Sequence, residues 1–178
     1  MLFSERGKVT KGSINYDGEN TTKNTASDMV KKGKGILAAD ESTPTIGNRF
    51  SQIAVESTFE SRNEYRDMLF TADSMEDYIS GVIMYDETLR QSTTSNDKTP
   101  FTKLLSDKNV LPGIKVDTGA KNLAGAPNEK ITEGLDGLRE RLVEYYEMGA
   151  RFAKWRAVIT IAVSYTHLRA HETKANLV

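Results

Sequence analysis

The sequence predicts an α/β fold in which a parallel sheet is laid down in successive β-α units. Three observations carry this reading. Four short apolar runs recur with their starts about 30 to 45 residues apart, room for a helix and two loops each time. Helical periodicity fills the first and third of the intervals between them, and more weakly the second. Charged residues sit inside the runs, at Lys115, Lys154 and Arg156, and Asp40 closes the first of them.

Taken in order, residues 1–24 are polar and rich in Gly, Asn and Thr, a loosely ordered lead-in. Residues 25–32 read as a short helix, with capping residues at its start, lysines in its last turn and Gly33 as a stop. The first strand is GILAAD (35–40). A helix over 57–70 follows, with Phe59, Tyr65, Met68 and Leu69 on its expected inner face. The second strand, 78–85, ends before Asp86 and Glu87. A weak helix at 101–106 leads to the third strand, PGIKVD (112–117). A helix over 132–148 carries Leu135, Leu138, Leu142 and Tyr145 at spacings of three or four and stops at Gly149. The fourth strand is 151–159. Near-continuous apolar runs suit strands buried on both faces, and a one-way β-α series implies parallel pairing with right-handed crossovers.

Composition narrows the function. The chain has 178 residues, 24 Lys+Arg, 25 Asp+Glu, a formal charge of -1 and no cysteine. That length allows one ordinary domain and falls well short of the roughly 250 residues of a complete eight-stranded α/β barrel. Lack of cysteine excludes disulfides, thiolate metal sites and a cysteine nucleophile. His167 and His171 have i, i+4 spacing but no third ligand nearby, so no metal is expected. Balanced charge argues against nucleic acid and anionic membranes as partners. No apolar run reaches the roughly 20 residues of a membrane span, and the N-terminus lacks the apolar core of a secretory signal; a cytoplasmic protein is expected.

Buried charges need partners or ligands. Lys154 and Arg156 are two apart and so share one strand face, with Ala153, Trp155 and Ala157 on the other. Converging with Lys115 and Asp40 at the C-terminal ends of barrel strands, they would form a pocket suited to phosphate or a developing oxyanion. Other readings fit the same spacing. Lys115 can snorkel from a strand end. Lys154 and Arg156 suit a half-exposed edge strand, and Asp40 suits a cap for the turn-like segment after it.

The wording of these segments is more specific than their pattern. GKGILAADEST (33–43) with TIGNR (45–49), YRDMLFTA (65–72), SGVIMYDETL (80–89), PGIKVD (112–117), EGLDGL (133–138) and GARFAKWRAV (149–158) resemble class I fructose-bisphosphate aldolase, in the same order. The resemblance implies about the first four βα units of a partial TIM (β/α)8 barrel. It implies reversible cleavage of fructose 1,6-bisphosphate to dihydroxyacetone phosphate and glyceraldehyde 3-phosphate through a lysine Schiff base, with no cofactor and no metal. It casts Asp40 and Lys154 as catalytic, in bond cleavage and proton transfer. Ser42, Arg49, Arg62, Lys115 and Arg156 become binders of the sugar-phosphate substrate. Full-length members are homotetramers by the same resemblance. Two departures fall in the first loop: Asn48 stands where many relatives carry lysine, and Pro44 where glycine is frequent.

The likeness runs through residues 25–161, and residues 162–178 read as a tail outside the family pattern, with the look of adaptor-derived sequence. By resemblance the imine-forming lysine of the sixth strand lies beyond this chain, which is therefore expected to be inactive alone. A noncatalytic sugar-phosphate-binding or scaffolding half-barrel is the competing expectation.

Overall fold

The computed structural model describes residues 8–10, 13–15, 21–126 and 128–158. The chain divides into two compact units, Met1–Val116 with Gly137–Trp155, and Asp117–Asp136 with Arg156–Val178. The first unit contains β1 (Lys8–Thr10), β2 (Ser13–Asn15), α1 (Thr21–Met29), β3 (Gly35–Ala39), α2 (Thr43–Ser51), α3 (Phe59–Phe70), α4 (Met75–Tyr78), β4 (Ile79–Met84), α5 (Asp86–Leu89), α6 (Phe101–Asp107) and β5 (Leu111–Lys115). The second unit contains the hairpin of β6 (Gly119–Asn122) and β7 (Lys130–Glu133). The chain returns to the first unit for α7 (Leu138–Glu147) and β8 (Phe152–Lys154).

The four apolar runs become one parallel sheet in the order β3-β4-β5-β8, an α/β arrangement. Alternation sorts their side chains onto two faces. Ala39, Val82, Met84, Ile114, Val116 and Ala153 join Phe70, Leu89, Phe101, Leu105 and Tyr145 of the helices in the core. Phe70 and Phe101 meet edge to face at 5.0 Å, a geometry adding about 1 kcal/mol to the burial of the rings themselves. On the opposite face Ala38, Ile83, Gly113 and Phe152 are successive register partners, forming one level. The Phe152 ring occupies the space a Cβ at Gly113 would need, with ring atoms at 2.2 to 2.6 Å from it. Lys115 and Lys154 are register partners one level further on, toward the C-terminal ends of the strands.

That second face is concave. β3 and β8 are the outer strands, yet Lys154 Nζ donates to Asp40 Oδ2 at 2.6 Å. Three inter-strand spacings across a flat sheet amount to roughly 14 Å, more than this pair of side chains bridges without the sheet curling. β3 is open on this face, with Ile36 and Ala38 exposed, so burial on both faces holds for the central strands and not for this edge.

Several elements differ from expectation for local reasons. Lead-in residues pair as the antiparallel β1 and β2, and α1 begins at Thr21. The turn-like segment after Asp40 is the helix α2, entered with Pro44 in its first turn, where a fixed φ and a missing N–H cost nothing. Helix α3 is closed by a reciprocal capping box between Thr58 and Ser61. Its inner face is the expected one in part: Tyr65 meets Phe50 edge to face and Leu69 packs against the core, but Phe59 and Met68 are exposed while Arg66 and Phe70 are buried. The helix expected over 132–148 begins at Leu138, because residues 130–133 pair as β7 and Gly134 and Gly137 take positive φ. Leu135 is exposed in consequence. The fourth strand stops at Lys154. Its expected end at Ile159, the 162–178 segment with its two histidines, and much of the lead-in lie outside the described residues. No helix among the described residues is long and apolar enough to cross a membrane.

Candidate active site

The C-terminal ends of the strands in the first unit gather the expected chemistry. Asp40 directly follows β3, and because Ala39 points into the core, Asp40 projects from the concave face. Lys154, the last residue of β8, reaches it across the sheet; the side chains are 14% and 31% exposed respectively. Val116 N–H donates to the Lys154 carbonyl at 3.1 Å, which fixes the end of β8 against β5. Lys115 is half-buried opposite Lys154 in register. Below them the Phe152 ring forms an apolar floor over Gly113 and Gly81. A carboxylate and two ammonium groups above an apolar floor can hold an anion and move a proton between oxygen and nitrogen.

The loop and helix after Asp40 add a second cluster. Ser42 is the N-cap residue of α2, and its hydroxyl is 3.0 Å from the Thr45 hydroxyl. Arg49, in the last turn of α2, is exposed and ion-paired with Glu41. Glu41 is also held by Arg66 of α3, whose Nη1 is 2.5 Å from Oε2. Arg66 Nη2 donates to the Glu41 carbonyl at 3.2 Å and its Nε to the Thr88 hydroxyl at 3.3 Å. Arg62 is engaged elsewhere: it forks onto Glu87 at 2.8 and 2.6 Å and donates to the Ser57 carbonyl at 2.9 Å. The hydrogen bonds that Arg62 donates to the Glu87 carboxylate raise its pKa above the ordinary value.

Arg156 belongs to the second unit and is exposed; its backbone N–H donates to Asp117 Oδ2 at 3.1 Å. The other oxygen of Asp117 accepts from the Gly119 N–H at 3.2 Å, so this buried carboxylate organises the entry to the β6–β7 hairpin. With β8 ending at Lys154, strand alternation no longer places Arg156 on the lysine face.

The structure therefore brings Asp40, Lys115 and Lys154 onto one face, with Ser42 and Arg49 on the segment that follows Asp40. It sets Arg62 against Glu87. Sequence reasoning missed Glu41, Arg66 and Glu87. Their signal was present, since Glu41 and Glu87 each lie in an acidic pair just past a strand and Arg66 stands in the YRD triplet. Spacing alone did not pair them.

Comparison with known proteins identifies the family of the chain. The chain matches, over residues 21–178, the family model described as "Glycolytic: Fructose-bisphosphate aldolase class-I". The fold and the match define a carbon–carbon lyase lineage. The chain belongs to the class I fructose-bisphosphate aldolase family. It is 59% identical over 137 residues to a probable fructose-bisphosphate aldolase class 1 of Xanthomonas campestris pv. campestris, covering 77% of this chain and 40% of that protein. It is 50% identical over 152 residues to fructose-bisphosphate aldolase of Plasmodium falciparum, covering 84% of this chain and 41% of that protein. A cytoplasmic isozyme of the enzyme from Cicer arietinum is 56% identical over 129 residues, covering 72% and 35%. A solved structure of the Plasmodium falciparum aldolase, in complex with TRAP and a small-molecule inhibitor, superposes with a TM-score of 0.77 at 48% identity, covering 88% of this chain and 46% of that one. The match to these curated relatives spans less than half of their length.

Proposed function

We propose that this chain supplies the first four βα units of a class I aldolase barrel and, with them, part of its site for fructose 1,6-bisphosphate. The observation that carries the reading is the Asp40–Lys154 pair, closed across the curled sheet beside Lys115. In aldol cleavage the C4 hydroxyl gives up its proton to a base, and the C3–C4 bonding pair flows into an iminium formed on a lysine, leaving an enamine whose C3 then takes a proton from an acid. Asp40 helps in bond cleavage and proton handling in this scheme, and Lys154 stabilises its carboxylate and takes part in the proton transfer. Lys115, Arg49, Ser42 and Arg62 bind the sugar phosphate, Arg62 after release from Glu87. A cytoplasmic homotetramer goes with the same reading.

The resemblance puts the family's iminium-forming lysine on a sixth strand and the parallel sheet of the described residues has four, so we further propose that the 178-residue chain does not turn over alone. In support, β3 and β8 present open strand edges among the described residues. The test pairs two measurements on the purified chain. Fructose 1,6-bisphosphate should shift the side-chain NMR signals of Lys115 and Lys154, while a coupled cleavage assay and borohydride trapping with dihydroxyacetone phosphate give neither turnover nor adduct. Lysine signals that stay put under millimolar substrate would remove the binding claim, and turnover at an ordinary aldolase rate would remove the claim of inactivity.

A further inference from the structure

Glu41 is held between two unlike arginines. Arg66 is 3% exposed and is tied to the Glu41 carboxylate, the Glu41 carbonyl and Thr88. Arg49 is 56% exposed, and among the described residues its side chain pairs with Glu41. The Glu41 side chain is itself only 9% exposed. Two cations thus share one carboxylate beside Asp40, leaving a net positive charge with one exposed member.

This asymmetry decides what happens when an anion arrives. Pulling Arg66 away would orphan a buried charge, a strongly unfavourable event. Pulling Arg49 away leaves Glu41 still compensated by Arg66. A monocarboxylate offers Arg49 no more than Glu41 already does. A phosphate dianion offers a doubled charge and a fork of oxygens matched to guanidinium. We propose that Glu41 is an affinity- and charge-determining residue of the phosphate subsite. It acts as an internal anion that holds Arg49 until a phosphate dianion takes the arginine over, while Arg66 keeps Glu41 compensated. This rests on the sugar-phosphate reading above and adds to it a residue with no contact to substrate.

The test is a titration of the 178-residue chain with inorganic phosphate at pH 7.5, followed through the arginine Nε–Cζ NMR signals, with sodium acetate at matched ionic strength as the comparison. Phosphate should move the Arg49 signal saturably and leave Arg66 in place; acetate should move neither. In E41Q the phosphate Kd should fall about tenfold, the size expected when one charge-assisted competitor is removed, and acetate should begin to shift Arg49. An Arg49 signal unmoved at saturation, an Arg66 signal that moves equally, or E41Q affinity no tighter than wild type would each overturn the exchange. The wild-type titration stands even if E41Q fails to fold. Shifts at Lys115 and Lys154 with a stationary Arg49 would sink this inference and leave the substrate reading intact, whereas silence at all of these residues would sink the substrate reading.

Discussion

Gly113→Ala probes the floor on which the polar groups stand. An added Cβ would meet three atoms of the Phe152 ring at 2.2, 2.5 and 2.6 Å, where carbon atoms normally rest at roughly 3.5 to 4.0 Å. The ring must therefore retreat by about 1 Å or more, or β5 must separate from β8. Phe152 is 3% exposed and also lies 3.2 Å from where a Cβ on Gly81 would stand, so it has little room. Overpacking of this kind costs about 1 to 3 kcal/mol, and the depth of the clash places Gly113→Ala at the upper end. Urea denaturation of the chain, monitored by far-UV circular dichroism, gives the difference. The Lys115 and Lys154 NMR signals should move with it, because both residues lie one level above the displaced ring. Adding Phe152→Leu should return part of the loss. A Gly113→Ala variant within about 0.5 kcal/mol of wild type, with unshifted lysines, would refute the idea that ring and glycine are matched.

The remaining predictions follow from single contacts. Asp40→Asn and Lys154→Met should each cost about 1 to 3 kcal/mol, less than for a fully buried pair because Lys154 is partly exposed; a double-mutant cycle should show coupling above about 0.5 kcal/mol, and additivity would deny the cross-sheet bond. Thr58→Ala removes the capping box of α3 and should lower stability by about 1 kcal/mol, measured by the same denaturation. Burial works against the charge on Asp86, but hydrogen bonds from Arg90 and Tyr145 outweigh it and its folded-state pKa lies below the ordinary 3.8. Its contribution is therefore present above pH 3.8 and lost as pH falls through the folded value, so the stability gap between wild type and Asp86→Asn should close on acidification; a gap that widens in acid would contradict the sign.

The strands were legible because burial leaves a run of apolar residues whatever the tertiary detail, and Lys115 and Lys154 stood out against it. Alternation was extended one step too far, to Arg156, since nothing local marks the end of β8, and the register that sets Lys154 beside Lys115 leaves no mark in either segment. Helix α2 was concealed by Thr43, Pro44 and Gly47, which read as turn residues although proline in a first turn favours a helix. The end of β7 was absorbed into a helix pattern because Leu135 happens to fall at helical spacing from Leu138. The Glu41–Arg66 and Arg62–Glu87 pairs join positions 25 residues apart, and charge pairing over such distances has no periodicity to read.

Asp40 and Lys154 are separated by 114 positions in the chain. Bringing the ends of so long a loop together costs about 4 kcal/mol in entropy on top of the fixed closure term. Few contacts in the sheet are as remote in sequence, so this one is made late, after the local helices and the β3–β4 pairing have formed. Weakening it should therefore speed unfolding and leave the refolding rate nearly unchanged. A nascent or partly folded chain should therefore have most of its hydrophobic layers before it has its chemistry, and the polar mouth comes into being only as the last strand docks.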